Sequence, residues 1–175
     1  MEFKKHAFIL EVIEGLHRQG SWTGKTHVQK ALSLLRDKGE VNVPFGFVLY
    51  RHGPYSFDIQ AELDEMRSYG AIEVEPNMQG YGVVLRSGNM AEFVKKQTLL
   101  NHMEIKAIED VCAFVDGRNV IELERIATAS WIRKQEHYKT PEEVVNRLVQ
   151  LKPHVPKSDA EKADNQVANW LASGK

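Results

Sequence analysis

The sequence predicts a mainly α protein with a small β-hairpin, an α+β chain built as two helical units. Three observations carry this. Apolar residues recur at i, i+3, i+4 and i+7 through most of the chain, the spacing of helices with one buried stripe. Around residues 45–50 and 72–85 the period falls to two, the spacing of strands. Glycine stands at the end of most periodic stretches, where a left-handed residue terminates a helix.

The first helix covers residues 3–18, with Ile9, Val12, Ile13 and Leu16 on one side and Gly20 beyond its end. A turn over residues 20–25 leads to a second helix. Val28, Ala31, Leu32 and Leu35 form its buried side, Lys30, Ser33 and Arg36 lie outside, and Gly39 stops it. Thr23 or Thr26 is expected to cap its start. Phe45, Phe47 and Leu49 alternate with Gly46, Val48 and Tyr50, a strand with apolar residues on both faces and so expected to be covered on both sides. Gly53 and Pro54 break that strand, because proline cannot donate to a ladder. Ser56 caps a third helix over residues 56–69, striped by Ile59, Leu63 and Met66. Strands over 72–74 and 81–85 enclose a turn over 76–80. Helix, helix, strand, helix, strand, turn, strand is the order of a winged helix-turn-helix domain, assigned to residues 1–88.

Residues 89–175 read as helix throughout and form the second, helical unit. Residues 91–102 make one segment. Ile105, Ile108, Cys112 and Val115 stripe the next, and residues 121–135 the one after. Thr140, Pro141, Glu142 and Glu143 spell a helix start, with an N-cap, a proline at the first helical position and acids in the first turn. Residues 158–161 read as a capping box opening the last helix. The last three helices read as a trihelical, helix-turn-helix-like unit.

Bulk composition narrows the classes. The chain has 175 residues, 42% hydrophobic and 27% charged, the balance of an ordinary globular protein. A formal net charge of −1 provides no general attraction to nucleic acid or to a membrane surface. No apolar run approaches the roughly 20 residues of a membrane span, and Glu11 and Glu14 interrupt the one stretch that superficially suits a signal peptide. No membrane association is expected, and the expected location is the cytoplasm.

The runs VQKALSLL over 28–35 and FVLYRHGPYS over 47–56, followed by the helix ending MRSYGAI at residue 72, carry a likeness to known proteins. The chain resembles the prokaryotic YwgA-like group and, more loosely, the SocA/Panacea antitoxin-associated proteins. These share a lysine-bearing helix, a turn of the HGPYS type and a helix ending in glycine–x–isoleucine. The second half looks similar too, in ELERIATASWI over 122–132 and EEVVNRLVQLKP over 142–153. The resemblance implies a winged-helix-like protein linked to toxin–antitoxin, prophage or defence loci, and it brings no catalytic residues.

Two candidate sites follow from the residues. Arg51, His52, Tyr55 and Ser56 surround the expected start of the third helix, where free N–H groups and a partial positive charge can hold an anion or a partner's carboxylate. The competing reading is a structural turn with Ser56 as cap. Arg18, Lys25, Lys30, Arg36 and Lys38 gather around the second helix as a basic face, with Lys4 and Lys5 expected nearby. That face could contact nucleic acid or an acidic protein, or be an ordinary solvated surface.

No catalytic constellation emerges. Gly24, Lys25 and Thr26 match the end of a phosphate loop, but Gly20 lies one residue too close for the full motif. The seven histidines show no metal-protease spacing, so no metal site and no cofactor are expected. Cys112 sits on an apolar stripe as an inert core thiol. Asp58, Glu62, Asp64 and Glu65 point outward from the third helix and would repel DNA phosphates. The leading expectation is a non-enzymatic interaction or regulatory protein that binds a protein partner, self-association included. The alternative is a DNA-binding transcriptional regulator that uses the basic second-helix face. An enzyme of unknown chemistry ranks third.

Overall fold

A computed structural model describes residues 2–77 and 82–173. The described chain is mainly helical, with eight helices and two small antiparallel hairpins. Helices α1 (Phe3–Arg18) and α2 (Lys25–Lys38) precede a hairpin of β1 (Val48–Tyr50) and β2 (Gly53–Tyr55). Then come α3 (Phe57–Ser68) and a second hairpin, β3 (Ile72–Pro76) with β4 (Val83–Ser87). Five more helices follow: α4 (Ala91–Gln97), α5 (His102–Val115), α6 (Val120–Lys134), α7 (Pro141–Leu151) and α8 (Lys157–Ala172). Residues 78–81, expected in the turn and at the start of the return strand, lie outside the described residues. Among the described residues no helix is long and apolar enough to cross a membrane.

Local signals set most element ends. Gly39 closes α2 at φ 76°, and Ser56 Oγ caps α3 by accepting from the Ile59 N–H. Thr140 and Glu143 form a reciprocal capping box with Pro141 at the first helical position of α7. Asn101 with Glu104 and Asn119 with Glu122 make the same box at α5 and α6, two starts not anticipated from the sequence.

Other ends differ from expectation. The segment expected over 91–102 ends at Gln97, and the Asn101 box begins a new helix. No side chain caps α2, since the Thr23 hydroxyl instead donates to the Leu85 carbonyl at 2.9 Å. Pro156 stands at the cap of α8, which therefore starts one residue before the expected box. Gly53 and Pro54 do not end a strand. They form the return strand of a hairpin whose two-residue turn is Arg51 and His52. Pro54 is tolerated there because in a strand a residue's N–H and carbonyl point to the same side, and its carbonyl faces Lys30 of α2, so no ladder donor to β1 is lost. The strand is also not covered on both sides, for Val48 and Tyr50 are exposed.

The largest departure concerns α2. Residues 27–35 are buried all round, including Gln29, Lys30 and Ser33. Helices α5 and α6, which start more than 60 residues later, both pack against it, α6 on the side expected to face solvent, where Trp131 meets Arg36 and Ser130 donates to Asp37. A helix covered on every side is the central element of its fold. One apolar cluster runs through both halves of the chain, joining Leu10, Leu32 and Leu63 to Val111, Ile126 and Val167. Close approach marks this packing. A Cβ on Gly15 of α1 would lie 2.8 Å from Cys112 Sγ of α5.

Candidate functional site

The first turns of α2, the β1–β2 hairpin and α6 enclose a pocket of about 300 Å³. Lys25, Thr26, Gln29 and Lys30 line it from α2, His52 and Tyr55 from the hairpin, Gln60 from α3 and Glu124 from α6.

The hairpin is fastened to the core by its backbone. Lys30 Nζ donates to the Pro54 carbonyl at 2.8 Å. The Gln29 amide donates to the Ser56 carbonyl at 2.9 Å and accepts from the Ser56 N–H at 3.0 Å. Lys152 Nζ, just past α7, donates to the Arg51 carbonyl at 3.2 Å. Gly53 lies against α6 with φ 88°, where an added Cβ would approach Thr128 Oγ1 to 2.8 Å. That position accepts glycine on two counts, backbone conformation and space.

Charge in the pocket is unevenly solvated. Lys30 is 2% exposed. Burial pulls its ammonium down to about 8, with neighbouring Glu124 pulling the other way and Lys152 adding to the depression. Burial likewise lowers Lys152, again opposed by Glu124. His52 Nδ1 lies 3.1 Å from Glu124 Oε1, with most of the imidazole in solvent. An oriented histidine–carboxylate pair beside a buried lysine can hold an anion, or move a proton to one.

One rim of the pocket is aromatic. Tyr55 packs edge-on against Phe57 at 5.0 Å, and Tyr50 lies about 6 Å from both, at 6.0 and 6.1 Å. Phe57 is 62% exposed, Tyr50 60% and Val48 48%.

Of the four residues expected at the anion site, His52 and Tyr55 line this pocket, whereas Arg51 and Ser56 do not. The start of α3 is not an open N-terminus. Ser56 is buried, its hydroxyl is taken by the Ile59 N–H and its backbone by Gln29.

The expected basic face is dispersed. Lys25 and Lys30 join the pocket, Lys30 from inside the protein. Arg18 pairs with Glu11 at 2.8 Å. The Arg36 guanidinium lies between the rings of Phe47 and Trp131, at 4.7 and 5.0 Å from their centres, and bonds Asp37. Lys38 covers the Trp170 ring and donates to the carbonyls of Trp170 and Ser173 at the end of α8. Lys4 and Lys5 are paired with acids on other helices, Glu104 and Glu62. Long cationic stems packed on apolar surface explain why helical period alone assigns these side chains wrongly.

Nor do all the α3 acids face outward. Glu62 turns to α1, where its Oε2 lies 2.6 Å from His6 Nε2, and the Tyr69 hydroxyl lies 2.9 Å from His6 Nδ1. His6, Glu62 and Glu65 each place one ligand atom within 4.8 Å of the others, a set able to hold a cation. Lys5 Nζ, 3.4 Å from Glu62 Oε1, already supplies a counter-charge there.

Sequence reasoning missed Glu124, Gln29, Thr128 and Lys152. Glu124 and Thr128 come from a helix expected to be structural, Gln29 from a helix expected to contribute only its cations and Lys152 from the end of α7, and no spacing links residues 29, 53 and 124. No family model matches the chain, and no curated protein is significantly similar to it.

Proposed function

We propose that the protein is a non-enzymatic interaction protein that docks a protein partner on the aromatic face of the β1–β2 hairpin. The observation that carries this reading is the exposed group Val48, Tyr50 and Phe57 on a backbone anchored by Gln29, Lys30 and Lys152. Aromatic side chains held rigidly in the open lose little entropy when covered, which suits them to anchor an interface. The fitting occupant presents an apolar side chain to the rings.

The N-terminal half is read as a winged-helix-like scaffold. In support, the Leu85 N–H donates to the Thr23 carbonyl at 3.0 Å while the Thr23 hydroxyl donates back, so the β3–β4 hairpin is fastened beside α2. The resemblance to the YwgA-like and SocA/Panacea proteins suggests a regulatory or antitoxin-like setting for such docking. The DNA-binding alternative has less support, because Lys30 is buried and Arg36 and Lys38 are packed on rings and bonded to internal partners.

The test is capture from the native cell with wild type beside Tyr50→Ser/Phe57→Ser, together with sedimentation of both. These exposed changes remove ring contacts only at the surface and should lower the melting temperature by no more than a few degrees. A protein retained by wild type and lost by the variant supports the reading. Wild-type self-association lost by the variant identifies the partner as a second copy. Identical capture and sedimentation overturn it.

A further inference from the structure

We infer that the pocket beneath the β1–β2 hairpin binds a carboxylate group, with Lys30 as the buried cation that receives it. An ammonium carries three N–H donors, and among the described residues Lys30 uses one, on the Pro54 carbonyl. Two donors remain on a buried cation that lines a cavity, an arrangement that an acceptor in the cavity would complete. The Thr26 hydroxyl also lines the cavity and has no hydrogen bond among the described residues.

Charge selects the class. Lys25, Lys30 and Lys152 against Glu124 and Asp64, which lies 3.9 Å from Lys25, leave one positive charge over when His52 is neutral. Lys152 belongs in this count because it is close enough to Lys30 to depress its basicity. A monoanion matches that excess, whereas a phosphate dianion would meet the Glu124 carboxylate. Size agrees, because about 300 Å³ is the small end of ligand pockets and suits an acid of a few heavy atoms or one acidic side chain. Tyr55 lines the pocket and belongs to the aromatic rim, so a carboxylate borne beside an apolar group would engage both.

Two sources share this chemistry, a free small acid and an acidic residue of a docked protein. The second rests on the docking reading above; the first does not. The probes are sodium acetate, acetyl-Phe-Glu-amide and inorganic phosphate. Each is titrated at fixed ionic strength into full-length protein carrying ¹³C-labelled lysine. A bound carboxylate favours the ammonium, so acetate should raise the Lys30 titration midpoint from about 8 and perturb the Thr26 amide. Lys30→Met should abolish the Thr26 response. Lys25→Ala, at a half-exposed position whose ion-pair partner Asp64 is also exposed, should weaken it several-fold and serves if Lys30→Met does not fold.

Dipeptide binding at least tenfold tighter than acetate assigns the site to a partner's acidic residue. Equal affinities assign it to a free acid and leave the docking reading to its own test. No movement of the Lys30 midpoint with acetate or dipeptide overturns the inference, as does phosphate binding as tightly as acetate.

Discussion

Lys30 Nζ lies 2.8 Å from the carbonyl oxygen of Pro54, a charged helix side chain bonded to the backbone of a hairpin strand. This bond joins the central helix to the candidate site, and it is made by a cation kept at 2% exposure. Its cost is written in its basicity. The folded value is about 8, against 10.5 for a free lysine.

That difference predicts a pH dependence. Below about 8 Lys30 is protonated in both states and the whole cost of burial is present. Between about 8 and 10.5 the unfolded chain binds the extra proton, so raising pH stabilises the fold. Wild type should gain up to roughly 3 kcal/mol relative to Lys30→Met across that window. Urea unfolding of both proteins at pH 7 and pH 10.5 measures it, and parallel curves would contradict it.

Gly53 carries both a left-handed backbone and a close approach to Thr128. Gly53→Ala should cost about 1–3 kcal/mol. Adding Thr128→Ala removes the contact but not the backbone strain, so it should restore part of the loss. A double-mutant cycle in urea resolves the two contributions.

Cys112 is fully buried against Val12 and Gly15, and burial pushes its thiol up to about 12. Native protein at pH 8 should give no colour with a disulfide reagent over minutes, while protein in denaturant should release one equivalent. Rapid reaction of the native thiol would show that the α1–α5 contact opens readily.

The scattered cations predict weak DNA binding. A fluorescent duplex at about 50 mM salt should show no rise in anisotropy at micromolar protein, and no steep salt dependence. Lys25→Glu is the informative variant for the contrary result, because Lys25 is solvent-accessible. Lys30→Glu would bury a second carboxylate near Glu124 and would report folding instead.

The sequence alone determined the helices and most of their ends. Helical period, the Thr140–Pro141 start, the Ser56 cap and the glycine stop at Gly39 act within a few residues, and all appear in the structure. It also marked the stretch around His52 and Tyr55, where glycine, proline and a cap coincide. Only the tertiary structure decided what covers each element. Arrival of α6 over α2 turned Lys30 from a surface charge into a buried one and set Glu124 beside His52. A period reports which residues can share a face, whereas burial depends on segments about 90 residues away, whose approach leaves no local mark in the chain.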